Sequence, residues 1–118
     1  METTNLPQVL KVIEMWEEYD TNLVKDHLHT QVSFSSPSTL VWIGGKRNVT
    51  TYLKMVLRGS RLLDFLLEIQ REYQVIKVSE NEYSLRIHQT EGDIETICLL
   101  DVEILEGKIF GIEMKQVS

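Results

Sequence analysis

The sequence has a single cysteine, Cys98, so no disulfide can form within its 118 residues. Disulfide-free chains are typical of reducing compartments. The sequence also lacks a run of about 20 apolar residues, the length that a membrane-spanning helix needs. It has no basic start followed by an apolar stretch and a small-residue cleavage site, the pattern of a signal peptide. These absences predict a cytoplasmic protein with no membrane partner.

Basic residues are in the minority, with 12 lysines and arginines against 18 aspartates and glutamates and a net charge of −6. Such a balance repels phosphate backbones unless a local basic patch offsets it. The densest basic stretch is Lys46-Arg47, followed by Lys54, Arg58 and Arg61. The last three recur at helical spacing and predict a solvated helix face, so we expect no nucleic-acid partner.

Prolines are also few, and both of them, Pro7 and Pro37, lie in the first third of the chain. No repeat, low-complexity segment or linker divides the sequence, and its length suits one domain. Helical patterns fill the first half and strand patterns the second, the order expected of an α+β domain. We therefore predict a single domain over residues 1–118.

Three helices are predicted in the first half from apolar residues at steps of three and four. The first begins near Pro7 and breaks near Asp20, which also marks the start of a short second helix. The third covers about residues 46 to 57, and Gly59 fits its C-terminal cap.

From Leu62 onward the apolar period changes to two, which predicts a meander of long antiparallel strands. Each strand has an inward apolar row, and the three helices are the only material available to cover those rows. The first row comprises Leu63, Phe65, Leu67, Ile69, Tyr73 and Val75, and the last comprises Phe110, Ile112 and Met114. The acidic residues of the strands, Asp64 among them, then face outward.

Three stretches resemble the nuclear-transport-factor-2-like superfamily, also called the SnoaL-like or cystatin-like cone fold. They are Trp16-Glu17-Glu18-Tyr19-Asp20-Thr21-Asn22-Leu23, Val32-Ser33-Phe34-Ser35-Ser36-Pro37, and Gly44-Gly45-Lys46-Arg47 leading into Val49-Thr50-Thr51-Tyr52-Leu53. The resemblance covers essentially the whole chain. It implies a cone-shaped roll with three N-terminal helices in the concave face of a curved antiparallel sheet. It further implies a cavity between helices and sheet, and a homodimer through the outer sheet face.

The resemblance does not bring a catalytic group with it. Ketosteroid-isomerase-like members carry a carboxylate base just before the proline that ends the short strand, and here that position is Ser36. A serine hydroxyl is a very poor base unless another group activates it. Asp20 is the most suggestive carboxylate, but a cap for the second helix is the favoured interpretation of it. We predict no catalytic residue.

Metal and cofactor sites are not indicated either. His27 and His29 lie two apart and so point to different sides of a helix, and His88 has no partner in sequence. Cys98 is typical of a small core residue. Gly44-Gly45-Lys46 lacks the spaced glycine and the serine or threonine of a phosphate loop. We predict no metal and no cofactor.

Two surfaces remain as candidate sites. One set of aromatic residues with Asp20 either lines a ligand pocket in the cone or fills the core and leaves no cavity. The set comprises Trp16, Tyr19, Asp20, Phe34, Trp42, Tyr52, Phe65 and Tyr73. Outward apolar residues predict a homodimer interface, formed by Leu66, Ile97, Leu99 and Ile109. The favoured hypothesis is a non-catalytic homodimeric domain that binds a small apolar molecule or acts as an interaction module. The alternative is an isomerase, cyclase or dehydratase that uses Asp20 with Tyr19 or Tyr52 on a small hydrophobic substrate.

Overall fold

The change of hydrophobic period along the chain separates a helical part from a strand part. The computed structural model describes residues 5–37 and 42–117. In chain order the elements are α1 (Leu6–Glu18), α2 (Asn22–Lys25), β1 (Leu28–Ser35), β2 (Ile43–Gly44), α3 (Lys46–Leu67), β3 (Gln70–Ser79), β4 (Glu82–Glu91), β5 (Ile94–Leu105) and β6 (Lys108–Gln116). No helix in the described residues is long and apolar enough to span a membrane.

The strands form one curved six-stranded sheet in the order β2-β1-β6-β5-β4-β3. Strands β3 to β6 are an antiparallel meander, as the hairpin turns in the sequence predict. Strand β1 pairs with β6 in parallel. Gly92 and Gly107 sit in two of the turns at φ of 59° and 74°, a region that glycine enters without steric cost.

The core lies between α1, α3 and one face of the sheet, which we call the helix face. Val9, Met15 and Leu53 from the helices are fully buried there. Alternate residues of β4 and β5, such as Leu85 and Leu100, meet them from the sheet. Burial of each such side chain contributes roughly 1.5–3 kcal/mol. The α+β architecture is therefore confirmed, although α2 is only a single turn of four residues.

The third helix is much longer than the sequence pattern predicts. It continues through Gly59 to Leu67, and Glu68 forms its left-handed cap at φ 53°. The predicted cap at Gly59 and the predicted strand from Leu62 are therefore wrong. An apolar run bounded by short polar stretches fits a strand or a helix equally well. Leucines favour helix, and one interior glycine costs only about 1 kcal/mol.

Replacing Gly59 with alanine tests this extension of α3. A Cβ at this position meets no atom within 4 Å, so we expect the free energy of unfolding to rise by about 0.5–1 kcal/mol. Urea denaturation measures the change. A left-handed cap at Gly59 would reverse the sign, because alanine is strained there.

Strand β6 contains a bulge that changes which side chains reach the core. Ile104 pairs with Ile109, whereas Glu103 pairs with Gly111, so β6 carries one extra residue between the two pairs. An extra residue interrupts the alternation of the strand. Ile109 is consequently 0% exposed in the core, and its predicted position on the outer face is wrong. Phe110 is only half-buried and meets His29 edge to face.

Candidate functional site

An ion pair is buried near the C-terminal end of α3. Arg71 Nη1 lies 2.5 Å from Asp64 Oδ2, and the two side chains are only 13% and 8% exposed. Asp64 follows Leu57 by seven residues, so both occupy the side of α3 that faces the core. Arg71 lies on β3 in the same row as Tyr73 and faces the helices. Burial makes this pair a stronger structural constraint than an ion pair in water.

Two neutral side chains complete the cluster. The Tyr19 hydroxyl donates to Asp64 Oδ2 at 2.6 Å, and Arg71 Nε donates to Gln89 Oε1 at 2.9 Å. Tyr19 is the C-cap of α1, with a left-handed φ of 56°, a conformation that costs a non-glycine residue about 1 kcal/mol. The ends of α1 and α3 and the start of β3 therefore meet at the Asp64 carboxylate, and the two hydrogen bonds to Oδ2 orient it.

One oxygen of this carboxylate has no partner in the described residues. Asp64 Oδ2 accepts from both Tyr19 and Arg71, whereas Asp64 Oδ1 is buried without any hydrogen bond. Buried polar atoms nearly always have a partner, and leaving one unsatisfied costs about 1–3 kcal/mol. The cluster thus presents an oriented acceptor to a hydrogen-bond donor.

The helices leave the neighbouring part of the helix face partly open, and we call this region the hollow. Its inward-facing side chains are half-buried, whereas Leu85, Leu100 and Val102, which share the helix face, are fully buried. They are Tyr73, Gln89, Thr96, Cys98 and Met114. The hollow is therefore walled by apolar and neutral polar groups, with the Asp64–Arg71 pair beside it.

Burial and the nearby carboxylate change the acidity of the phenols and the thiol around the hollow. Burial raises the pKa of Tyr73 to about 12 and raises the pKa of Cys98. The hydrogen bond to Asp64 raises the pKa of Tyr19, and burial adds to the effect. All three groups are consequently neutral at pH 7, which leaves Asp64 and Arg71 as the charges of the site.

The late ionisation of Tyr73 predicts a loss of stability at high pH. The unfolded chain releases this proton near pH 10, whereas the folded chain keeps it until about pH 12, so stability falls as the pH rises through this window. Absorbance at tyrosinate wavelengths should show a late component that Tyr73→Phe removes. Persistence of that component in the variant would assign it to another of the four tyrosines.

The predicted pocket residues divide into three groups. Trp16 and Phe34 are buried in the core, where Phe34 packs on Tyr52 with ring centres 5.2 Å apart. Tyr19, Asp20, Tyr52 and Tyr73 are half-buried, and of these Tyr19 and Tyr73 border the hollow. Asp20 Oδ1 instead accepts the Asn22 N–H at the start of α2.

Phe65 and Trp42 are not in the cone, so their prediction as lining residues is wrong. Phe65 is 81% exposed because it belongs to α3 and points away from the core. Trp42 is 70% exposed and borders a cleft of about 350 Å³ on the other side of the sheet, next to Asp101 and Glu113. We call that side the outer face.

The strand pattern placed Asp64 on the outer face, so the sequence did not indicate it as a site residue. The one available signal is that Asp64 is the only charged residue in the apolar run from Leu62 to Leu67. The same error affects the predicted dimer surface, since Leu66 lies on α3 and not on the sheet. Ile97 and Leu99 remain half-buried on the outer face.

Comparisons with known proteins agree on the fold. No protein-family model matches the chain, and no curated protein matches it. A steroid delta-isomerase from Pseudomonas aeruginosa is similar in structure, with a TM-score of 0.73 and 16% identity over 100% of this chain and 82% of that one. An NTF2-like protein of unknown function from Cytophaga hutchinsonii has a TM-score of 0.69 and 11% identity over 99% and 93% of the two chains.

A third similar structure is an uncharacterized cystatin fold protein from Novosphingobium aromaticivorans, with a TM-score of 0.70 and 14% identity. The similarity covers 97% of this chain and 99% of that one. At such identities the likeness concerns the fold and not the activity. The chain therefore has the nuclear-transport-factor-2-like, cystatin-like fold that the three sequence stretches predicted.

Proposed function

We propose that the hollow binds a small, mainly apolar molecule whose hydroxyl or amine donates a hydrogen bond to Asp64. The observation that carries this proposal is the buried Asp64 Oδ1, which has no partner in the described residues. A ligand group that donates to it satisfies an acceptor that otherwise destabilises the fold. Apolar lining with a few oriented polar groups is the usual character of small-molecule pockets.

The rest of the cluster determines which ligands fit. Arg71 balances the charge of Asp64, so the ligand does not need a positive charge to neutralise the site. Tyr19 and Arg71 both donate to Oδ2 and thereby hold Oδ1 as the acceptor. Tyr73, Cys98 and Met114 provide the apolar wall. A neutral donor on an aromatic or alicyclic skeleton is the chemistry that these groups favour.

A matched pair of probes tests the proposal. Isothermal titration calorimetry should show that 2-naphthol binds at least about tenfold more tightly than 2-methylnaphthalene, since a hydrogen bond to a charged acceptor is worth about 1.5–3 kcal/mol. In Asp64→Asn the amide nitrogen offers donors where Oδ1 accepted, so the preference should disappear. Glu113→Gln, an exposed carboxylate on the outer face, is the control. Equal affinities for both probes in the unmodified protein would refute the anchoring role of Asp64.

A second candidate function is an isomerase, cyclase or dehydratase that acts on a small hydrophobic substrate. It is favoured by the pairing of a buried carboxylate with a tyrosine and by the similarity in fold to a steroid delta-isomerase. Asp64 Oδ1 would accept the proton, and Tyr19 would orient the carboxylate. It ranks second because Asp64 Oδ2 is already engaged by Arg71 and Tyr19, and no substrate contact shows which group would move a proton.

Proton abstraction can be tested without knowing the substrate. Deuterium exchange at the acidic carbon of an apolar ketone such as 2-tetralone, followed by NMR, should be accelerated by the protein and not by Asp64→Asn. Exchange at equal rates with both proteins would remove this candidate and leave the binding function untouched.

We also propose a homodimer through the outer face of the sheet. Ile97 and Leu99 lie there between charged neighbours, whereas α3 exposes Leu62, Phe65 and Leu66 on a different surface. Sedimentation velocity at micromolar concentration should show a dimer that Leu99→Lys converts to a monomer, because a buried lysine without a partner is costly. Leu62→Lys is the control. Dissociation by the control alone would place the interface on α3.

A further inference from the structure

A second cavity lies between α2 and the N-terminal half of α3, away from the hollow. Its volume is about 390 Å³, which falls within the range of small-molecule sites. Six residues line it: Lys25, Lys46, Arg47, Thr50, Thr51 and Lys54. Lys54 precedes Asp64 by ten residues on the same helix, which is about 15 Å at the helical rise per residue. The two sites are therefore separate.

The charge of this cavity is positive, whereas the net charge of the chain is negative. Four of its six lining side chains are cationic and none is acidic, in a chain with a net charge of −6. None of the four cavity cations forms an ion pair with an acidic residue in the part of the chain that the structure describes. Like charges gathered around one cavity repel one another, and a bound anion offsets that repulsion.

The position of two of these cations adds to that repulsion. Lys46 and Arg47 stand in the first turn of α3, which contains no acidic residue, and the N-cap Gly45 has no side chain with which to accept a helix N–H. The first turn carries the positive end of the helix dipole, where cations are unfavourable and anions are stabilised. An anion in the cavity relieves both effects.

The two threonines help to define the ligand. Thr50 donates its hydroxyl proton to the Lys46 carbonyl at 2.7 Å, and Thr51 donates to the Arg47 carbonyl at 3.0 Å. Their protons are thus engaged, and the donors available to a ligand come from the lysines and the arginine. Three ammonium groups and a guanidinium suit an anion with several oxygens and more than one charge, as in a phosphate ester.

We propose that this cavity binds the phosphate or diphosphate group of a small phosphorylated molecule. The lining is confined to one cavity, which suits a compact polyanion better than an extended nucleic-acid backbone. The hollow is a separate site for an apolar ligand. The helix α3 therefore contributes to one apolar site and one cationic site.

Binding of inorganic pyrophosphate, measured by calorimetry and by NMR shifts of α3 amides, tests this proposal. We expect saturable 1:1 binding that weakens at least about tenfold in Arg47→Ala and in Lys54→Ala. Arg61→Ala, an exposed arginine of α3 that does not line the cavity, removes the same charge and should bind as the unmodified protein does. Circular dichroism and thermal unfolding confirm that each variant is folded.

Three results would overturn the proposal. One is the absence of saturable pyrophosphate binding by the folded, unmodified protein. Another is an equal loss of affinity in Arg61→Ala, which shows a response to net charge alone. The third is binding to phosphatidylcholine–phosphatidylserine vesicles or to duplex DNA without any binding of soluble pyrophosphate. That result assigns the cations to a lipid surface or a nucleic acid.

Discussion

Asp64→Ala should lower the free energy of unfolding by about 3–5 kcal/mol, the usual cost of removing one partner from a buried ion pair. Arg71 is only 13% exposed, so its guanidinium would be left with a buried charge and only Gln89 as a neighbour that accepts. Tyr19 would lose the acceptor of its hydroxyl in the same variant. Urea denaturation monitored by circular dichroism measures the change.

A double variant separates the pair from its surroundings. Asp64→Leu combined with Arg71→Met removes both charges and keeps apolar volume, so its loss of stability should be well below the sum of the two single losses. Glu14→Ala is the control, because Glu14 and Lys11 form an exposed ion pair in α1. Such pairs are worth at most about 1 kcal/mol. Additive losses at Asp64 and Arg71 would contradict the coupling that the short contact implies.

Much of the architecture followed from the sequence because strand alternation is a short-range property. Leu85, Leu100 and Val102 are buried on the helix face as the period of two predicts. Gly92 and Gly107 lie in two of the turns between these strands, where left-handed backbone suits glycine. The order of the elements then led to the resemblance, and the similar solved structures confirm the fold.

The end of α3 did not follow, because local patterns are ambiguous there. Leu63, Phe65 and Leu67 alternate with Asp64 and Leu66 in a way that suits a strand, yet the same residues have high or acceptable helix propensity. What decides between the two is the tertiary pairing of Asp64 with Tyr19, 45 residues earlier, and with Arg71. No window along the sequence contains that information.

This single ambiguity accounts for the errors at Asp64, Phe65 and Leu66, which all lie in α3. A strand through Asp64 turns the carboxylate outward and Phe65 inward, whereas the helix turns Asp64 inward and leaves Phe65 in solvent. The prediction that Asp64 faces outward depended on that strand. A bulge such as the one beside Ile109 has the same consequence on a smaller scale, because one extra residue exchanges the two faces of a strand.

Leu57→Ala and Phe65→Ala should therefore differ strongly in their effects on stability. Leu57 is 1% exposed in the core, and its truncation should cost about 2–5 kcal/mol through lost burial and the cavity that remains. Phe65 loses few contacts, and its truncation should change the free energy of unfolding by no more than about 0.5 kcal/mol. Both substitutions lie in α3 and remove apolar side chains, so each serves as the control for the other in parallel urea titrations.

The comparison also tests the helix itself. On a strand that runs from Leu62, Phe65 would face the core and its truncation would cost about 3–5 kcal/mol, as for any buried phenylalanine. A loss of that size at Phe65 would remove Asp64 from the helix face together with the site built around it. A small effect at Phe65 with a large one at Leu57 is the result that the buried Asp64–Arg71 pair requires.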